Sequence, residues 1–179
     1  VHLSGVTKGS GMIHPNMATM LAFLTTDAAV EADFLRATLT EVADASFNML
    51  TVDGDTSTND TLLVLSNGQA GNSTINSNSP DAAVFKQALM DVCVHLAREM
   101  ARDGEGATKL ITVEVVGATD VSNARKAART IASSNLVKSA VAGSDPNWGR
   151  IMMAVGRSGA VVEESKIDLF INGVCIMEE

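Results

Sequence analysis

The sequence predicts a layered α+β fold with mixed sheets and packed helices. Three observations carry this. Apolar runs of strand length open the chain, amphipathic runs of helix length sit between them, and the two do not alternate strictly as βαβ units do. "HLSGVT" reads as a first strand. After a Gly/Pro-rich turn, "TMLAFLTT" reads as a second strand, apolar on both faces through Leu21, Phe23 and Leu24, as in a buried strand. Asp27 is placed to cap the next element, in which Leu35, Leu39, Val42, Phe47 and Leu50 recur at helical spacing. "TVDGDTSTND" is a polar loop, "TLLVLSNG" a strand ending in a turn, and "QAGNSTINSNSP" an exposed loop.

Pro80 begins the longest helix, with Asp81 in its first turn and a stripe of Phe85, Leu89, Val92, Leu96 and Met100 facing the core. That helix stops at "DGEG". "KLITVEVVGA" alternates as a strand does, and "VSNARKAARTIASS" reads as a helix opened by a Ser or Asn cap. "NLVKSAVAG" fits strand or helix. "DPNWGRIMMAVGRSG" is a loop leading into a short helix that ends at Gly156 or Gly159, and "KIDLFINGVCI" is a hairpin turning at Asn-Gly. With 179 residues the chain is long enough for a full core, and neither repeats nor linkers divide it, so residues 1–179 are expected to form one domain.

Composition narrows the function classes. Five Phe, one Trp and no Tyr offer few stacking platforms for bases, and a net charge near −8 without a basic stripe argues against nucleic acid. No apolar run is long enough to suggest a membrane span. Cys93 and Cys175 lie far apart without metal-ligand spacing, and both read as reduced core residues of a cytoplasmic protein. The chain opens on a strand already in progress without an initiator Met and stops just after a hairpin, so both ends read as cuts.

"KGSGMIHPNMATMLAF" joins a small, flexible, polar approach to an apolar strand at Thr19. A threonine hydroxyl becomes a useful nucleophile only with a base in hydrogen-bond reach. Breaking the Ala18–Thr19 bond would give Thr19 a free α-amine beside its own Oγ, and such an amine ordinarily titrates at about 7.7–8.0. The plainer alternative is that Thr19 opens a strand, where β-branched residues are common.

Other candidates are weaker. "VTKGSG" lacks P-loop spacing, which leaves Lys8 as a surface lysine or a carboxylate binder. "DGDTSTND" spaces Asp53, Asp55, Ser57 and Asn59 like a calcium loop, but Thr58 stands where such a loop needs Gly and Val64 where it needs Glu. A loop held by Asx and Ser/Thr turns is the better reading. Glu105, between two glycines after the long helix, sits where the helix dipole disfavours a carboxylate; it is either a substrate contact or a solvated loop residue. His14 reads as a turn residue near Thr19, and Trp148 beside Arg150 as a packing anchor.

Taken together, "KGSGMIHPNMATMLAFLTTDA", "NMLTVDGDTSTNDT", "ARDGEGATK" and "GSDPNWGRI" resemble the signature segments of the ornithine acetyltransferases, or glutamate N-acetyltransferases, of arginine biosynthesis. The resemblance runs through most of the chain. It implies an N-terminal-nucleophile-like sandwich and a precursor that cuts itself between Ala18 and Thr19 into α and β chains, expected to assemble as an α2β2 heterotetramer. This chain would hold the end of the α part and most of the β part.

The activity implied is acetyl transfer from N-acetylornithine to glutamate through an acetyl-threonine, with acetyl-CoA a further acetyl source in some members and no resident cofactor or metal. By position, Thr19 is the nucleophile, and Lys8 and Glu105 bind substrate. The family's Thr-Gly oxyanion pair and its C-terminal Asn and Thr substrate residues fall outside this sequence. The rivals are a self-cleaving aminopeptidase or amidase on the same scaffold, and a non-catalytic ligand-binding module.

Overall fold

The computed structural model describes residues 1–15 and 20–178. They fall into two compact units, Val1–Ala107 and Thr108–Glu179.

The first unit is built on a mixed three-stranded sheet. β1 (Leu3–Lys8) runs antiparallel to β2 (Leu21–Thr26), and β2 runs parallel to β3 (Thr61–Ser66), in the order β1-β2-β3. A parallel pair needs a crossover. α1 (Ala32–Ala45) and a 3-10 turn at Phe47–Met49 supply it. α2 (Ala82–Arg102) is the longest helix, with 21 residues. Its buried residues Phe85, Leu89, Cys93, Ala97 and Met100 follow helical spacing, while Val92 and Leu96 pack at the margin. Gly5 shows how closely α2 lies on β1: a Cβ there would come within 2.9 Å of Leu96 and 3.3 Å of Val92. The rings of Phe34 and Phe85 join α1 to α2 at a centroid distance of 6.5 Å.

Alternation along the strands divides the sheet's faces. Ala22, Leu24 and Leu62 are buried under the helices, whereas Val6, Phe23 and Leu63 form one row across the opposite face and remain exposed. Phe23 is thus not buried on its own face, unlike the sequence expectation. The cap of α1 is Glu31; Asp27 instead accepts the backbone N–H of His2 at 2.6 Å and meets its ring. The backbone N–H of His2, then its ring, lower the pKa of Asp27 against a smaller opposing effect of desolvation.

The second unit holds α3 (Val121–Ser133), α4 (Asn135–Ala142), α5 (Trp148–Gly156) and a hairpin of β4 (Leu169–Ile171) and β5 (Val174–Met177). Each helix is opened by a side-chain acceptor: Asp120, Ser134 and Asn147 take the backbone N–H of Asn123, Val137 and Arg150. The cap of α3 is therefore Asp120, just before the Ser and Asn that the sequence favoured. Asn172 and Gly173 both have positive φ, 50° and 79°, as a two-residue hairpin turn requires. Ile131, Val137 and Ala154 form this unit's core.

Three expectations fail here. Residues 109–118 are not a strand: Leu110, Ile111, Val113 and Val115 are half-buried, with exposed Thr112, Glu114 and Val116 alternating after them, but among the described residues no ladder partner pairs with them. Alternation selects a face; a strand also needs a neighbour. Cys175 is exposed rather than in a core, because it lies on a two-stranded hairpin; Cys93 is buried, and desolvation pushes its thiol up to about 12. Trp148 is 53% exposed rather than a buried anchor, while Arg150 bonds the carbonyl of Leu136 and the hydroxyl of Ser139. No helix of the described residues is long and apolar enough to cross a membrane.

Candidate functional site

Three loops of the first unit meet at one end of its sheet: residues 9–15 after β1, 50–60 before β3 and 103–106 after α2. Backbone bonds tie them together. Val52 N–H donates to the carbonyl of Ile13 at 2.7 Å, and Glu105 N–H to the carbonyl of Ser10 at 2.8 Å. The hydroxyl of Thr56 donates to the carbonyl of His14 at 2.9 Å, and the His14 ring meets the Thr51 hydroxyl at 2.9 Å. His14 is thus held in the turn.

Asp53 is the knot of this arrangement. Its carboxylate accepts two successive amides, Met12 N–H at 2.6 Å and Ile13 N–H at 3.1 Å, and Asp55 N–H at 3.0 Å in an Asx turn. Desolvation works against its charge, but the N–H groups of Asp55, Met12 and Ile13 prevail and hold its carboxyl below the ordinary range. Met12 sits at φ 55°, in the left-handed region, where Asp53 grips it. The loop that sequence compared with a calcium site therefore binds backbone. Among the described residues no group of three or more His, Cys, Asp or Glu side chains is placed to hold a metal ion.

Close approach explains two of the glycines. A Cβ on Gly11 would lie 3.0 Å from the Glu105 carboxylate, so Glu105 reaches over the Gly-Ser-Gly run that follows Lys8. A Cβ on Gly104 would lie 2.9 Å from Val52, so the turn before Glu105 abuts the loop that carries Asp53. Lys8 is exposed at the end of β1, opposite Leu21 of β2, and borders a groove of about 360 Å³ with Thr7, Gly9, Glu99, Met100, Arg102 and Asp103. Among the described residues neither Lys8 nor Glu105 takes part in an ion pair, whereas Glu99 and Arg102 pair at 3.0 Å.

Ala18 and Thr19 lie outside the described residues. The chain on either side of them is firmly held: Ile13 and Pro15 before, and Met20 after, are fully buried. Met20 donates its N–H to Oδ1 of Asp60, and its carbonyl accepts Thr61 N–H at 2.8 Å, the first link between β2 and β3. The other oxygen of Asp60, Oδ2, is buried without a hydrogen-bond partner among the described residues, and burial raises the pKa of the group against the opposing pull of Met20 N–H. The Asx turn expected of this loop is present at Asp53 and Asp55, whereas the sequence pointed neither to the grip of Asp53 on Met12 and Ile13 nor to any part for Asp60. Their partners lie about forty positions away, and only the abundance of acceptors in "DGDTSTND" hinted at a backbone clamp.

A protein-family model described as the ArgJ family matches residues 1–179. The chain is 58% identical over 177 residues to the "Arginine biosynthesis bifunctional protein ArgJ" of Symbiobacterium thermophilum, covering 99% of this chain and 44% of that protein. It is 53% identical over 178 residues to the protein of the same name from Bacillus subtilis, again 99% of this chain and 44% of that protein. The crystal structure of the "Arginine biosynthesis bifunctional protein argJ" from Bacillus halodurans superposes with a TM-score of 0.88 at 47% identity, covering 89% of this chain and 75% of that one. The chain thus spans less than half the length of the curated relatives it matches. These matches agree with the α+β expectation for the fold.

Proposed function

The chain belongs to the ArgJ family, and from that premise we propose that it forms part of an acetyltransferase of arginine biosynthesis. The enzyme moves an acetyl group from N-acetylornithine to glutamate, with Thr19 as nucleophile. The single observation that carries this reading is that the family match is unbroken over residues 1–179, through every segment that meets at the site. The anchoring of Pro15 and Met20 on either side of Ala18–Thr19 supports a scissile segment held at both ends.

Cleavage and turnover use the same two groups. In cleavage, Thr19 Oγ attacks the carbonyl carbon of Ala18, the C–N bond breaks, and the hydroxyl proton ends on the nitrogen. Water then releases the Ala18 carboxylate from the ester. In turnover, Oγ attacks the acetyl carbonyl of N-acetylornithine while the α-amine takes its proton and passes it to the departing ornithine nitrogen. The amine of glutamate attacks the resulting acetyl ester, and its proton returns to Oγ. Glu105 meets the cationic end of the ornithine and Lys8 a substrate carboxylate, both being charged groups beside the 9–15 loop without an ion-pair partner among the described residues. Acetyl-CoA is proposed as an alternative acetyl source.

The remainder of the protein, as α and β chains in an α2β2 assembly, is the proposed partner. The exposed apolar row Val6, Phe23 and Leu63 supports one. The test is to incubate the full-length protein with N-acetylornithine, with and without glutamate. Acetylglutamate formed only with glutamate is the expected result; free acetate formed at the same rate in both would make the protein an amidase.

A further inference from the structure

Gly11 is a glycine that its own backbone does not require. Nearby Gly9 and Met12 sit at φ 149° and 55°, but Gly11 itself is not among the positive-φ residues. The reason for its missing side chain lies in the space beside it. A Cβ there would stand 3.0 Å from Oε2 of Glu105 and 4.0 Å from Oδ2 of Asp53. Among the described residues beyond its chain neighbours, no other atom comes within 4 Å. The second distance is ordinary contact, and the first is too close.

The loop that carries Gly11 has no room to retreat. The carbonyl of Ser10 takes the N–H of Glu105, Asp53 grips the N–H groups of Met12 and Ile13, and Val52 N–H holds the carbonyl of Ile13. The Glu105 carboxylate, by contrast, ends a flexible side chain and takes part in no ion pair among the described residues. A side chain at position 11 therefore moves the carboxylate rather than the loop.

We propose that Gly11 is a positioning residue for Glu105: its empty side-chain site is the space in which the carboxylate stands to meet the cationic end of the donor. This rests on the reading of Glu105 as a substrate contact and deepens it. The bond from Glu105 N–H to Ser10 fixes where the side chain starts, and the bare Gly11 fixes how far across the loop it reaches. The cationic end of the donor is remote from the acetyl group. A contact there is equally strong before and during transfer, so displacing it raises KM and leaves kcat unchanged.

The test is Gly11→Ala in the full-length protein, with Glu105→Gln and the double variant beside it. Alanine meets no left-handed backbone here and touches only the movable end of Glu105, so the variant should fold and cut as wild type does. Its KM for N-acetylornithine should rise about 10-fold, with kcat within about twofold of wild type. In the Glu105→Gln background the same substitution should change kcat/KM by less than about twofold, because the charge it displaces is already gone. A glycine needed only for the fold would cost the same in both backgrounds. That equal loss, or a wild-type KM in Gly11→Ala, would overturn the proposal.

Should Gly11→Ala fail to fold or to cut, adding Glu105→Ala should restore both, since the Glu105 carboxylate is the atom group the new methyl crowds. A double variant just as defective would equally overturn the proposal. The two readings fail separately. Wild-type kinetics in Glu105→Gln remove Glu105 from the substrate, and Gly11 with it. An impaired Glu105→Gln beside a Gly11→Ala of wild-type KM removes only the role of Gly11.

Discussion

Three side chains of the site differ in what their removal should do. Thr19→Ala lacks the hydroxyl proposed to attack the Ala18 carbonyl, so the protein should stay as one uncut, inactive chain on a denaturing gel. Glu105→Gln leaves the scissile peptide untouched, since Glu105 lies over Gly11 and is tied to Ser10. It should cut normally yet lose about 10–100-fold in kcat/KM for N-acetylornithine, the cost of a missing charged hydrogen bond. Wild-type kinetics would return Glu105 to the role of a solvated loop residue. Asp53→Ala releases the amides of Met12 and Ile13. It should slow cleavage and cost about 1 kcal/mol in denaturant unfolding, a modest figure because the loop is exposed. The lowered pKa of Asp53 gives its contribution a sign with pH: it is fully present above the unfolded value of about 3.9 and is lost as pH falls through the lower folded value. Wild type and Asp53→Ala should therefore converge in stability in acid.

At the scale of elements, α2 is the support on which the site's loops rest. Leu89, fully buried in its centre, packs in the same core as Leu24 and Val42. Leu89→Ala should cost about 2–5 kcal/mol in urea unfolding and leave the pH profile of acetyl transfer unchanged. This element was legible in the sequence, because its stripe has helical period and its end is marked by glycine. The hairpin at Asn172–Gly173 was legible for a similar reason, its turn chemistry being local. Residues 109–118 were misread because their alternation gives a face but says nothing of a partner strand. Caps were missed by a few positions: α3 is capped by Asp120, close before Ser122 and Asn123, and Asp27 is drawn off to His2 while Glu31 opens α1 without a side-chain bond. The site divides the same way. Thr19, Lys8 and Glu105 were proposed through family resemblance, whereas the clamps of Asp53 on Met12 and Asp60 on Met20 span about forty residues and leave no local pattern.

For the whole molecule, the proposed reaction consists of two half-reactions that share one threonine. The donor must hand over its acetyl group before the acceptor arrives, so initial rates should show ping-pong kinetics, and ornithine should appear in a burst when glutamate is absent. The most direct measurement is mass spectrometry of the full-length, self-cut protein quenched after mixing with N-acetylornithine alone. The account predicts one added acetyl group on the peptide that begins at Thr19, lost when glutamate is supplied before the quench. An unmodified Thr19 at every quench time, with transfer requiring both substrates bound together, would contradict it.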